Sequence, residues 1–251
     1  MRSNSRTTQG SMEEGNQFRD DGTSKYSIHF SEASIRAGFI RKVFAIVTIM
    51  LAVVAAFCAI PIFHEPLKLW LQVNWWVWLL AAIMYVVLYY TILCCPFVGR
   101  AFPTNVIILA AFTISASIMT MCFTSRYETN AILLALCTTT VCTACVVLFA
   151  CTTNADLTSM MGIACLLSLF VFVFGFFAMG FAYYFGFHFL HTVYSGLGAL
   201  VTMFWLGISI QLVMGGKKFE ISPEDYIFGA VLIFVQILEL FHFILSLLGR
   251  N

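Results

Sequence analysis

The sequence predicts an all-α membrane protein: a bundle of seven transmembrane helices behind a disordered polar tail. Three observations carry that prediction. Of 251 residues, 61% are hydrophobic and 10% are charged, against about 45–50% apolar and about 25% charged in soluble domains. The apolar residues fall into seven blocks, each near the roughly 20 residues that a helix needs to cross a hydrocarbon core. The blocks do not alternate as barrel strands would, and a helix is the open-ended segment that satisfies its own backbone in lipid.

The elements follow in chain order. Residues 1–34 are polar, mixed in charge and nearly free of aliphatics, which predicts a disordered tail; residues 35–251 make the second unit, the membrane domain. The first block covers about 43–63. It is long enough to span and lacks an A-x-A exit, so it is expected to act as a signal anchor and not as a cleaved signal peptide. The second, 75–95, opens beside Trp70, Trp75, Trp76 and Trp78, an interfacial aromatic belt. The third, 105–123, follows Pro103, and Arg126 and Glu128 mark a polar turn before the fourth, 131–151. Blocks five (160–182) and six (190–214) are separated by "YYFGFHF", a hinge of aromatics and glycine. The seventh, 226–248, is opened by Ser222-Pro223-Glu224-Asp225, an N-cap, a proline at the first helical position and acids on the positive helix end.

Charge sets the orientation. With seven crossings, one side receives Arg2, Arg6, Arg19, Lys25, Arg36, Arg41, Lys42, Arg100, Lys217 and Lys218, and the other only Lys68, Arg126 and Arg250. The positive-inside rule therefore puts the N-terminus in the cytoplasm. The net charge of +1 is spread between apolar blocks and makes no nucleic-acid surface.

Enzyme signatures are missing: there is no Gly-rich phosphate loop, G-x-S-x-G elbow or H-E-x-x-H. Cys142 and Cys145 form a C-x-x-C, a redox pair if exposed near a helix N-terminus. They sit in mid-block, however, where small residues let helices approach closely, and packing is the stronger reading. His188 and His191 lack a carboxylate or cysteine at ligand spacing and read as interfacial histidines. The nine cysteines lie in or at the ends of apolar runs and read mainly as packing residues. Gly175, Gly180, Gly196, Gly198 and Gly207 are expected at tight crossings.

One acid stands apart. Glu239 lies 13 residues into the seventh block, roughly 20 Å along a helix. An ionised side chain at the centre of a span costs about 3 kcal/mol on insertion scales. Gln236 and His242 lie three residues to either side and Ser246 continues the row, so a polar stripe is expected on one helix face, turned into the bundle. Two readings of Glu239 compete: a carboxylate that exchanges a proton or binds a cation on a path through the bundle, and a protonated acid hydrogen-bonded to a neighbouring helix as glue.

Five stretches in order, "SIRAGFIRKVFAIVT", "CCPFVGRAFPTN", "TTNADLTSMMG", "HTVYSGLGAL" and "GGKKFEISPEDYIFGAV", resemble the lifeguard branch of the transmembrane Bax-inhibitor-motif family from about residue 34 onward. In the first, Ile35, Phe39 and Ile40 oppose Arg36, Arg41 and Lys42, a pattern that suits a juxtamembrane helix on an anionic leaflet. The resemblance implies a seven-helix bundle in the endoplasmic reticulum or Golgi, or less readily the plasma membrane. It further implies suppression of cell death, membrane proteins of the death pathway as partners, and a pH-sensitive leak with Ca2+ as the transported ion and no cofactor. It also implies a pair of aspartates, one late in the sixth helix and one in the seventh, that hold the pore closed. Here those positions fall on Ser209 and Gln236, which do not titrate. The pair is expected to hydrogen-bond across the two helices at any pH. Glu239, one turn beyond, is then either a relocated acid that keeps a titratable group near the site or a residue of a bundle that has become a non-conducting scaffold.

Overall fold

A computed structural model describes the backbone of residues 7–95, 100–185 and 188–249, and side chains from Ser34 onward except at positions 182, 183 and 188. All regular structure among the described residues is helical. The helices are α1 (Thr7–Phe63), α2 (Glu65–Val73), α3 (Trp75–Cys94), α4 (Thr104–Thr124), α5 (Thr129–Thr152), α6 (Met161–Phe185), α7 (His188–Met214) and α8 (Tyr226–Leu248), with a 3₁₀ turn at Leu157–Met160. Seven stretches are long and apolar enough to cross a membrane: Ser34–Phe63 of α1, α3, α4, α5, Leu157–Phe181, Phe189–Met214 of α7, and α8. The expected seven-helix bundle is therefore the fold.

The differences lie outside the apolar runs. The first six residues are outside the described part. Residues 7–33 stand as a continuation of α1 ahead of the first span. The centre of the expected hinge between the fifth and sixth spans, residues 186–187, also lies outside the described residues. The first connection is not a plain loop but α2. The His64 Nδ1 accepts from the Leu67 N–H at 3.2 Å and caps it, Leu71 is buried, and the Gln72 Nε2 donates to the Ser125 carbonyl at 2.6 Å. The last bond fastens α2 to the turn between α4 and α5.

α8 is the centre of the bundle and packs on α7, α5 and α1, with α3 and α4 also reaching it. Phe234 of α8 meets Phe112 of α4 edge to face, ring centroids 5.9 Å apart, among Met50 and Val54 of α1. A second layer joins Val43 and Val47 of α1 to Leu206 and Ile210 of α7 and Ile233 of α8. Since lipid is as apolar as these side chains, shape fit and close approach hold the layers together. Three of the five predicted glycines supply such approach: a Cβ at Gly175 would meet the Tyr194 ring at 2.7 Å, one at Gly198 would strike the Phe243 ring, and one at Gly207 would touch Leu157 at 3.1 Å. Gly180 and Gly196 face open space, which corrects the expectation for those two.

The end that carries the start of the first span is tied by long-range polar contacts. Arg36 donates from Nε to the Met214 carbonyl at 3.0 Å, from Nη1 to Ile221 at 2.9 Å and from Nη2 to Leu212 at 3.4 Å, and it pairs with Glu220 at 3.5 Å. Arg36 thus satisfies orphan carbonyls at the C-terminus of α7, which corrects its assignment to the lipid surface. Lys42 sits over the Tyr226 ring at 3.4 Å, and Phe39 is buried. The turn that receives Arg36 needs Gly215 and Gly216, whose φ angles are +72° and +75°, a region glycine enters without strain.

α8 starts at Tyr226, as expected, but is capped differently. Its N-cap position is Asp225, which makes no side-chain cap bond, and Ser222 lies in the preceding turn, accepting from the Asp225 N–H at 2.9 Å. The Asp225 carboxylate is drawn instead to Arg100, with Nε–Oδ1 at 2.7 Å and Nη2–Oδ2 at 2.8 Å, and Glu224 lies 3.6 Å from the same guanidinium. This two-point bond holds the Asp225 carboxyl below its ordinary value of 3.8. A depressed carboxylate stabilises the fold above its unfolded value and loses that contribution as pH falls through the folded one. The native chain in detergent is therefore expected to lose melting temperature as pH drops below 3.8. The Arg100→Gln chain should show a smaller loss over the same interval, as read by thermal unfolding at stepped pH.

Candidate intramembrane acid site

The row Gln236, Glu239, His242 and Ser246 shares one face of α8, as the helical period requires, but neighbouring helices divide it. The His242 Nε2 lies 3.2 Å from the Thr120 Oγ1 of α4, and its ring meets Phe123 edge to face at 4.9 Å. The Ser246 hydroxyl lies 3.2 Å from that of Ser195 on α7. Glu239 lies one turn before His242, on the N-terminal side of both contacts. It is exposed. Among the described residues it makes no hydrogen bond and no ion pair, so the hydrogen-bonded glue anticipated for it is not formed.

Ser209 is 2% exposed on α7, and Gln236 is half-buried on α8. No hydrogen bond joins them among the described residues, and the Gln236 Oε1 is buried without a partner. The expected lock across the two helices is therefore absent. A serine hydroxyl ends one bond nearer the backbone than a carboxylate does, and a pair that depends on reach loses its contact. The unpaired oxygen carries the usual cost of a buried polar atom, about 1–3 kcal/mol.

The other candidates resolve into packing. Cys142 and Cys145 are unbridged thiols of α5, and Cys142 lies against the layer containing Ala199 and Leu240. His191 packs on Tyr194 with centroids 6.2 Å apart, whereas the side chain of His188 is outside the described residues. Among the described residues no three of His, Cys, Asp and Glu are grouped to hold a metal. A groove of about 700 Å³ runs between α1, α5 and α8, lined by Cys58, Leu136 and Thr143 with Ile237 and Phe241. It opens on the opposite face of α8 from Glu239.

Sequence reasoning passed over Gln211, which is 1% exposed on α7. Its Oε1 accepts from the Leu157 N–H at 2.8 Å, and its Nε2 donates to the Ala155 carbonyl at 3.0 Å and the Ala150 carbonyl at 3.4 Å. One amide thereby fixes the end of α5, the following turn and the start of the next span. The signal was available: an amide inside "ISIQLVMG" is as out of place in lipid as the acid of α8. Beside it, Lys217 donates to the Asn154 carbonyl at 3.0 Å. The Asp156 carboxylate accepts from the Thr158 hydroxyl at 2.6 Å and from the Lys218 N–H at 3.2 Å. These bonds, that from Thr158 foremost, hold its carboxyl below the usual range.

Seven candidate spans with the last of them at the centre, one end laced by side chains and an exposed, unpaired acid at mid-span define a polytopic helical membrane protein. Residues 36–251 match the family described as "Inhibitor of apoptosis-promoting Bax1". Among curated relatives, Protein lifeguard 3 of Homo sapiens is 36% identical over 223 residues, covering 88% of this chain and 72% of that one. Protein lifeguard 3 of Mus musculus is 34% identical over 222 residues with the same coverage. The chain belongs to this Bax-inhibitor, or lifeguard, family of membrane proteins, which is not a known family of enzymes.

Proposed function

We propose that the chain regulates cell death and intracellular calcium as a slow cation leak of the endoplasmic reticulum or Golgi, with its N-terminus in the cytoplasm. The observation that carries this reading is Glu239, an acid at mid-span that is exposed and, among the described residues, unpaired. An ionisable group kept at that depth is costly, and a partially dehydrated Ca2+ takes oxygen ligands. The exposed Glu239 carboxylate offers such oxygens. Membership of the family supports the cell-death role, and the cation excess beside the first span supports the orientation.

A second reading has an observation of its own. Gln211, Arg36 and Lys217 fasten the ends of α5 and α7 and the turn before α8, which suits a non-conducting scaffold that binds membrane proteins of the death pathway. Stored calcium in cells separates the two. The leak reading expects stores lowered by the native chain and restored toward untransfected levels by Glu239→Gln. Stores unchanged by the native chain, with protection from death intact, would overturn it in favour of the scaffold. A pH-dependent leak that arises only with Ser209→Asp and Gln236→Asp together would show that the native bundle is a silenced channel.

A further inference from the structure

We infer that Cys94 and Cys95 are a site of S-acylation, taking long-chain fatty acyl groups from an acyl-coenzyme A through a membrane acyltransferase. Position separates them from the other thiols. Cys58 and Cys122 are buried. Cys137, Cys142 and Cys145 lie more than a turn inside α5, at hydrocarbon depth. Cys165 is within α6, and the Cys151 Sγ lies 3.3 Å from the Met214 Sδ, which seats it against α7. Cys94 and Cys95 are both exposed. Cys94 is the last residue of α3, and Cys95 is its C-cap, off the helix at φ −119° and ψ 80°.

The surface beside them suits an acyl chain. Counting back from Cys94 by four and three, Tyr90, Val87, Ile83 and Leu80 form one ridge of α3, and all four are exposed. No described helix covers that ridge, since α3 packs mainly on α4. Half of the ~30 Å hydrocarbon core corresponds to about ten residues of helix. A chain attached at position 94 and filling one leaflet therefore runs along the ridge to about Ile83. Juxtamembrane cysteines are the usual acceptors of reversible acylation, and two chains anchor far more firmly than one.

The chemistry balances without an oxidant. The Cys sulfur attacks the thioester carbonyl, a new carbon–sulfur bond forms as that to coenzyme A breaks, and the cysteine proton passes to the departing thiol. Acyl-coenzyme A is cytosolic, so the inference rests on the orientation proposed above.

The test is hydroxylamine-dependent mass tagging of the full chain expressed in a eukaryotic cell. Two tags are expected on the native chain, one on Cys94→Ser or Cys95→Ser alone, and none on the double variant. Cys142→Ser with Cys145→Ser should keep both tags. A native chain without tags, a double variant that keeps them, or a signal released by reductant instead of hydroxylamine would overturn the assignment. Orientation is read separately with long hydrophilic inserts carrying a glycosylation acceptor. A glycan on an insert at Arg126, with no tags on the native chain, refutes the acylation alone. A glycan on an insert at Lys217 refutes the orientation and the acylation with it.

Discussion

Gln211→Leu is expected to lower the stability of the bundle by about 3–5 kcal/mol, because it strands the Leu157 N–H and the Ala150 and Ala155 carbonyls around a side chain that is almost wholly buried. Leucine fills nearly the same volume, so the loss reports hydrogen bonding and not a cavity. Thermal unfolding of purified chain in detergent reads the effect. Gln236→Leu is the control, since its Oε1 has no partner to lose, and removing an unpaired buried oxygen should leave the melting temperature unchanged or raise it. Equal losses from the two leucine variants would mean that any amide in these spans matters alike, contrary to the geometry.

Arg36→Ala should cost about 3 kcal/mol, with a different signature. Its guanidinium meets three carbonyls and Glu220, and bonds from a charged donor are individually worth about 1.5–3 kcal/mol but do not add in full. The loss should concentrate at one end of the molecule. Limited proteolysis should cut the 215–225 turn faster in the variant while the turn between α4 and α5 keeps its native rate. Arg36→Lys should restore little, because an ammonium cannot present the planar fork that reaches Met214 and Ile221 together.

The spans were legible because crossing a bilayer imposes a length and a composition on each of them separately. α2 escaped notice because nine residues are too few to span, and its cap, His64, is an uncommon one. The start of α8 at 226 was read correctly, but its cap was assigned to Ser222 because Asp225 answers to Arg100, 125 positions away, and no local signal reveals that competition. The same holds for Arg36, whose partners lie 176 to 185 residues downstream. The polar row of α8 was correct as a pattern on one helix and incomplete as a site. A period tells which residues share a face, but how that face is rotated against α4 and α7 depends on what those helices present. Thr120 and Ser195 claim the C-terminal half of the row, His242 and Ser246, and leave the acid one turn before it exposed and unpaired.

The central place of α8 has a consequence for how the molecule is born. The span that fills the middle of the bundle leaves the ribosome after every span it packs against, so Phe112, Met50 and Leu206 wait in the bilayer without their principal neighbour while translation continues. Until residue 226 is passed, the earlier spans hold only the contacts they make with one another, α4 with α1 and α3, and α7 with α5 and α6. The final apolar segment thus completes three core layers at once when it arrives, closing Phe234, Ile233 and Leu240 against spans made earlier.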